Sequence, residues 1–339
     1  MYLRTQLEHL RYGRSVPSLP APVDLTPVPP VQPMVAELAV VHGVSQFPTE
    51  ADRVGLESET LLHMPETSIS AVGSQHKQPS PIADNVLTIC AISVLAAIVS
   101  NVLHEGVGHA LTALLTGAKS GLLTTVAWSS ASDSRLVAAG GTLVNLAAAL
   151  AFWLALRSDK NASMPTRYFL LISCAFNLFS GTGYFFFSGV TDFGDWAAVI
   201  SGLHPHWLWR VLLVAVGAAS YYASVLAVGV GLVRYVGVPR EQQRRLRKLT
   251  ILPYFSAVVL PSIAGLLNPL GIQLLWQSAL PATAGGQSGL LWLQYYIPRG
   301  TEPNRTPEQV EHNSGWIIAA GILALVYIVV LGRGITLHR

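Results

Sequence analysis

Six stretches of the chain are almost continuously apolar and long enough to cross a membrane. A helix needs about 20 mainly apolar residues to span the hydrocarbon core of a bilayer. The runs predict spans at about 85–103, with a continuation to about 116, and at about 135–156, 167–188, 210–233, 249–276 and 315–332. Pro253, Pro261 and Pro269 interrupt the fifth run. A further apolar piece, 289–297, is too short to span and is expected to lie in the interface or to dip into the membrane.

The composition of the chain also indicates a membrane protein. The chain has 339 residues, of which 51% are hydrophobic and only 12% charged, and its mean hydropathy is +0.46. Soluble proteins carry about 25% charged residues. We therefore predict an all-α polytopic membrane protein of about six transmembrane helices in a lipid bilayer. The net charge of +3 then reports membrane orientation and gives no reason to expect a nucleic-acid partner.

The chain divides into three predicted regions. Residues 1–83 contain 11 of the 21 prolines, with few aromatic residues and no sustained period, so we predict a disordered N-terminal region. Residues 84–203 hold the first three spans and the candidate chemistry. Residues 204–339 hold the remaining spans and a basic loop at 234–248.

Lys and Arg residues are unevenly distributed between the two predicted sides. The side with residues 1–84, 157–167, 234–248 and 333–339 carries 16 of them, and the other side carries 5. Cytoplasmic loops are enriched in Lys and Arg. This distribution predicts a multi-pass protein of the plasma (inner) membrane with both termini in the cytoplasm.

The sequence NVLHEGVGHALTALLTG continues the first span and contains His104, Glu105 and His109. Ionisable residues are costly in a membrane helix, so they usually have a partner or a function. Two imidazoles and an acid form the ligand set of hydrolytic zinc sites, and a neighbouring Glu takes a proton from the attacking water. These residues therefore predict a Zn²⁺ site with Glu105 as general base.

The five-residue spacing of the histidines does not suit a regular helix. Residues i and i+5 lie about 140° apart around an α-helix, against about 40° for i and i+4. A π-bulge would bring His104 and His109 together, and Gly106 and Gly108 would make that distortion inexpensive. Alternatively, Glu105 and His109, at i and i+4, are the paired ligands. We favour the bulge because it leaves Glu105 free to act as the base.

Three features from separate spans are expected at one face of the bilayer. The first span ends at the histidines, the second begins near Gly140-Gly141, and the third ends just before Asp192 and Asp195. Either aspartate can supply the third metal ligand. The glycine pair is also typical of close helix packing, and His204 and His206 are typical of interfacial residues.

The order of these motifs resembles the site-2 protease family of intramembrane zinc metalloproteases. The resemblance covers about 95–203: the HEGVGH stretch, a polar strand-like segment LLTTVAWSSASDS, a span opening AAGGTLVNLAAAL, and GDWAAVISGL after the third span. It implies that His104, His109 and Asp195 bind zinc, that Glu105 is the general base, and that Asn145 matches the family's membrane asparagine. The chain departs from the family in the extra residue between the histidines and in lacking a proline-rich segment before Asp195.

The expected function is hydrolysis of a membrane-embedded segment of another protein by metal-activated water. Two alternatives use the same residues differently. One is a catalytically inactive scaffold of the same fold that binds membrane partners. The other is a small transporter in which His104, Glu105 and Asp195 relay protons, which the scarcity of ionisable groups in the inner halves of the first three spans disfavours.

Overall fold

The computed structural model describes residues 83–131, 134–159 and 161–339. The predicted disordered region, 1–83, lies outside the described residues except for its last residue. Within the described ranges the chain is mainly helical, and six helices are long and apolar enough to cross a membrane. They are α1 (Val86–Leu115), α2 (Arg135–Ser158), α3 (Met164–Thr191), α5 (His206–Val236), α6 (Gln243–Gly265) and α8 (Ser314–Leu331). The predicted class, a helical protein of about six spans, is confirmed.

Local side chains explain where several of these helices begin. The Asn85 side chain accepts a hydrogen bond from the Thr88 N–H at 2.9 Å, so it caps α1. The hydroxyl of Ser134 accepts from Val137 N–H at the start of α2, and the Asn313 side chain accepts from Trp316 N–H at the start of α8. These caps satisfy backbone donors that have no partner within the helix.

The fifth predicted span is the one whose limits were wrong. It was expected to run over about 249–276, but α6 begins at Gln243 and ends at Gly265. The helix continues through Pro253 because its neighbour replaces the missing hydrogen bond: the Tyr168 hydroxyl donates to the Leu249 carbonyl at 2.8 Å, four residues before the proline. Pro269 lies beyond the end of the helix.

A seventh crossing of the bundle is built from short pieces, which we call the broken segment. It consists of Leu275–Ala279 and Pro281–Gly285, both π-helical, a 3₁₀ turn Gly286–Ser288, and helix α7, Gly289–Tyr296. Leu275 lies beside Gly265 at the end of α6, whereas Arg247, near the start of α6, donates to Gln294 at 3.0 Å. The piece 289–297, predicted to be interfacial or re-entrant, is therefore the end of a full crossing.

Residues 298–313 consequently lie at the same end of the bundle as Asp84. The backbone N–H of Asn85 donates to the Val310 carbonyl at 2.7 Å. The buried Asp84 carboxylate is paired with Arg245, at 2.9 Å, and accepts a hydrogen bond from the Val310 N–H. Arg167 pairs with Glu308 at 2.7 Å. These contacts fasten the loop before α8 to the starts of α1 and α6.

A small antiparallel sheet follows α1 at the other end. It contains β1 (Ser120–Leu123), β2 (Trp128–Ser130) and β3 (Ile335–His338), in the order β2-β1-β3. The first two strands pair as a hairpin within the segment whose sequence is strand-like. The third strand was not predicted, and its pairing of Leu123 with Ile335 brings the C-terminus next to the hairpin.

This pairing corrects the predicted topology. Residues 333–339 were expected on the same side as residues 1–84, but β3 lies at the end of the bundle opposite Asp84. The observed and predicted sides differ because the broken segment adds a crossing that no continuous long helix marks. Arg299 and Arg305 therefore lie at the Asp84 end, and Arg333 and Arg339 lie at the opposite end, the reverse of the prediction. Because two arginines change ends in each direction, the predicted count of 16 against 5 positive residues stays the same.

A short helix, α4 (Asp195–Ile200), joins α3 to α5. The Trp196 indole N–H donates to the Thr142 hydroxyl at 3.0 Å, which holds the start of α4 against α2. Helix α2 also packs closely on the second half of α1. The site described next lies where α1, α2 and α4 meet.

Candidate metal centre

The histidine stretch of α1 is π-helical. Residues Val102–Leu111 have this geometry, with α-helix on either side. A π-turn advances fewer degrees per residue, so positions five apart lie on one face. The Nε2 atoms of His104 and His109 are 3.2 Å apart. The bulge predicted from the spacing is present, and it pairs the two histidines with each other.

Asp195 completes the group. Its Oδ2 atom lies 3.2 Å from His104 Nε2 and 3.3 Å from His109 Nε2. Gly194, with φ of +84°, makes the turn that brings Asp195 to the beginning of α4. Asp192 faces elsewhere: its carboxylate contacts His206 at 3.0 Å and Arg210 at 3.8 Å.

The outer nitrogen of each imidazole faces an acceptor. The Nδ1 atom of His104 lies against the Oδ1 atom of Asn145, and His109 Nδ1 lies 2.7 Å from the Val137 carbonyl. Both partners only accept hydrogen bonds, so each Nδ1 carries a proton. When the rings are neutral, each Nε2 atom presents a lone pair. Two such lone pairs and a carboxylate oxygen therefore face a common point.

The spacing of these three atoms fits a tetrahedral metal ion. Ligand atoms about 2.0–2.1 Å from zinc, at tetrahedral angles, are about 3.3–3.4 Å from one another. The three separations here are 3.2, 3.2 and 3.3 Å. These separations match the ligand positions around a tetrahedral ion.

Asn145 is itself held in one orientation. Its amide nitrogen donates to the Ser100 carbonyl at 3.2 Å and to the Asn177 side-chain oxygen at 2.7 Å. Asn177 in turn donates to the Ser173 carbonyl at 2.7 Å. All of these polar groups are buried. This chain of hydrogen bonds leaves the Asn145 oxygen facing His104, which fixes the ring that would bind the metal.

Glycines allow α2 to approach the histidines. A Cβ atom at Gly141 would lie 2.5 Å from His109 Nε2 and 2.6 Å from His104 Nε2. A Cβ at Gly140 would lie 2.0 Å from the Gly108 carbonyl oxygen, and one at Gly108 would lie 2.4 Å from the Gly141 Cα. The glycine pair therefore serves both helix packing and the shape of the centre.

Glu105 is buried but does not join the ligand triangle. Its Oε2 atom has no hydrogen-bond partner among the described residues, and the backbone amide of Trp128 neighbours the carboxylate as a donor. Together with His109 and Asp195 it lines a cavity of about 90 Å³. The cavity has room for water molecules beside the centre. A carboxylate oxygen without a partner, next to three atoms that could hold a metal ion, can accept a proton from such a water.

Two residues at the centre were not predicted. The Tyr184 ring stacks on His104 with centroids 5.0 Å apart, and Tyr184 and Ser278 line the cavity with Glu105. Tyr184 sits within the apolar sequence GYFFF, where nothing distinguishes it from residues that face lipid. Ser278 belongs to the broken segment, which the sequence did not reveal as a crossing.

The residues near the start of α5 that were predicted to be interfacial lie outside the centre. His206 pairs with Asp192 near the beginning of α5, and the neighbouring Trp207 is largely exposed.

Comparisons of the chain with protein-family models, with curated proteins and with solved structures found no match. The geometry of the centre and the resemblance of its motifs are the observations that bear on function.

Proposed function

We propose that the chain is an intramembrane zinc metallopeptidase that resembles the site-2 proteases. The observation that supports this most strongly is the convergence of His104 Nε2, His109 Nε2 and Asp195 Oδ2 with both ring protons held on the far side. Without a cation or a proton between them, the lone pairs of these three atoms would repel one another in a buried place. Two imidazoles and one carboxylate form a donor set that zinc hydrolases use, with a further position left for water.

Zn²⁺ bound by these ligands would supply an acidified water and a Lewis acid for the peptide carbonyl. Glu105 takes the proton of the attacking water at Oε2 and passes it to the leaving nitrogen. Asn145 and the Val137 carbonyl keep the two imidazoles in their ligating tautomer. Tyr184 covers one face of His104 and limits access to the centre.

The position of the site supports a membrane-embedded substrate. His104 and His109 belong to the membrane-spanning helix α1. Asp195, just after the end of α3, and Val137, near the start of α2, approach them, so the site lies among the helices toward one end of the bundle. A segment that reaches such a site is an apolar piece of another membrane protein. We infer further that the Asp84 end of the bundle is cytoplasmic, because Arg234, Arg240 and the cluster Arg244–Lys248 are close to it.

Metal analysis of the purified protein tests the centre. We expect about one zinc per chain in the wild type and in Glu105→Gln, and little zinc in His109→Ala or Asp195→Asn. Asp192→Asn is the matched control, because that carboxylate lies three residues away and contacts His206. Equal zinc in the wild type and His109→Ala would disprove the proposed centre.

Hydrolysis is tested without knowing the substrate. Solubilised membrane proteins are incubated with the enzyme in ¹⁸O-labelled water, and new C-termini are identified by mass spectrometry. The wild type should produce ¹⁸O-labelled C-termini, and Glu105→Gln should not. Stoichiometric zinc with no ¹⁸O incorporation by the wild type would favour the inactive scaffold instead.

A further inference from the structure

A second, larger cavity lies on the other side of Tyr184. Its volume is about 460 Å³, and it is bounded by α3, α5 and the broken segment. An apolar cavity of about 150 Å³ is enough to bind benzene, so this one has room for several apolar side chains. Phe186, Tyr222 and Trp292 line it and are also exposed on the outer surface of the bundle. In a membrane, this aromatic rim faces lipid.

Tyr184 separates this cavity from the metal centre. The ring of Tyr184 stacks on His104 and also lines the 460 Å³ cavity. A small cavity of about 70 Å³ next to His104 and Glu105 shares Tyr184, Ser180 and Ala282 with the larger one. Ser180, Tyr184 and Ala282 therefore form a wall that the two spaces share.

The walls of the cavity suit a peptide better than a lipid chain. Apart from the neighbouring part of the segment itself, nothing lies within 4 Å of the positions that Cβ atoms would take at Gly285 and Gly286, so a peptide backbone can approach the broken segment closely. The hydroxyl-bearing side chains of Thr191 and Ser288 line the cavity. A peptide that unwinds for cleavage needs hydrogen-bond partners, whereas an acyl chain needs none.

We propose that this cavity binds the apolar side chains of a membrane-embedded peptide segment, which reaches Glu105 past Tyr184. The identity of that segment as a substrate rests on the proposed function, but its binding does not require the metal. The segment enters between α3, α5 and the broken segment. The cavity selects segments that carry large apolar side chains next to the cleaved bond.

Photo-crosslinking tests the proposal. The probe is a synthetic transmembrane helix of leucine and alanine, with lysines at both ends and a photoreactive leucine at its centre. Full-length protein in lipid nanodiscs is irradiated with the probe, and adducts are located by mass spectrometry. Ala218→Trp fills the cavity from α5, and Ala219→Trp is the matched control, one residue along the helix and also exposed. Gly285→Leu fills the cavity from the broken segment.

In the wild type and Ala219→Trp, adducts should concentrate on α3, α5 and the broken segment. Ala218→Trp and Gly285→Leu should reduce those adducts at least tenfold while zinc content stays the same. Adducts spread over all lipid-facing helices and unaffected by the filling variants would overturn the proposal. Labelling of the cavity by a photoreactive phosphatidylcholine that the peptide cannot compete away would also overturn it, in favour of a lipid. Cavity labelling without zinc would contradict the proposed metallopeptidase and leave peptide binding intact.

Discussion

The Nδ1 atom of His104 donates its hydrogen to the side-chain oxygen of Asn145, 41 residues later in the chain. This bond fixes which nitrogen of His104 carries the proton, and so it directs the Nε2 lone pair toward His109 and Asp195. Partners of this kind typically contribute 10- to 100-fold to metal affinity. Asn145 is therefore a positioning residue for the proposed zinc ligand.

Replacing Asn145 should weaken zinc binding without removing a ligand. We expect Asn145→Ala to lower zinc affinity about 10- to 100-fold, measured by competition with a chelator. Leu150→Ala, an exposed position on the same helix, is the control and should leave the affinity unchanged. Wild-type affinity in Asn145→Ala would show that His104 does not need this hydrogen bond.

Adding one methyl group at Gly141 should displace the histidines. The new Cβ of Gly141→Ala would lie 2.5–2.6 Å from both Nε2 atoms, so we expect loss of stoichiometric zinc. Gly321→Ala is the matched control, since Gly321 lies within α8 with nothing within 4 Å of its Cβ position. That control should keep its zinc and gain about 0.5–1 kcal/mol in helix stability. Retention of zinc by Gly141→Ala would mean that α2 packs less closely on α1 at Gly141.

The buried pair of Asp84 and Arg245 should contribute to stability and not to zinc binding. Removing one partner of a buried ion pair typically costs about 3–5 kcal/mol, because the other charge is left without compensation. We expect Asp84→Asn to lower the free energy of unfolding by an amount of this order, measured by denaturant titration in detergent. Arg244→Gln removes a neighbouring exposed charge and should change stability little. Equal stability of both variants would argue against a buried ion pair between Asp84 and Arg245.

The seven crossings predict that Arg244, at the Asp84 end of the bundle, and Arg339, at the opposite end, are labelled from opposite sides. After Cys90 and Cys174 are replaced by alanine, single cysteines are introduced as Arg244→Cys and Arg339→Cys. A membrane-impermeant maleimide added to sealed vesicles should label only one of the two, and the other only after the vesicles are opened. Labelling of both from the same side would restore the topology that the sequence predicted.

Much of the fold could be predicted from the sequence because apolar length is a local property. The limits of α1, α2, α3, α5 and α8 agree with the apolar runs to within a few residues. The unusual spacing of His104 and His109 predicted a π-turn, since only one helical distortion brings those positions together. The limits of α6 could not be predicted, because the Tyr168 hydroxyl that allows the helix to pass Pro253 comes from another helix.

The sequence by itself determined that this is a multi-pass helical membrane protein with two histidines and an acid on one helix, because hydrophobic length and residue spacing act within single segments. The resemblance favoured Asp195 as the third ligand, and the tertiary structure places that residue, and not Asp192, against the histidines. The tertiary structure alone decided that Tyr184 stands beside the centre and that β3 returns to the hairpin. The tertiary structure also decided that the broken segment is a seventh crossing. The count of positive charges on each side could not reveal it, because two arginines change ends in each direction and the totals stay the same. These features depend on packing between segments far apart in the chain, and no local pattern records which surfaces meet.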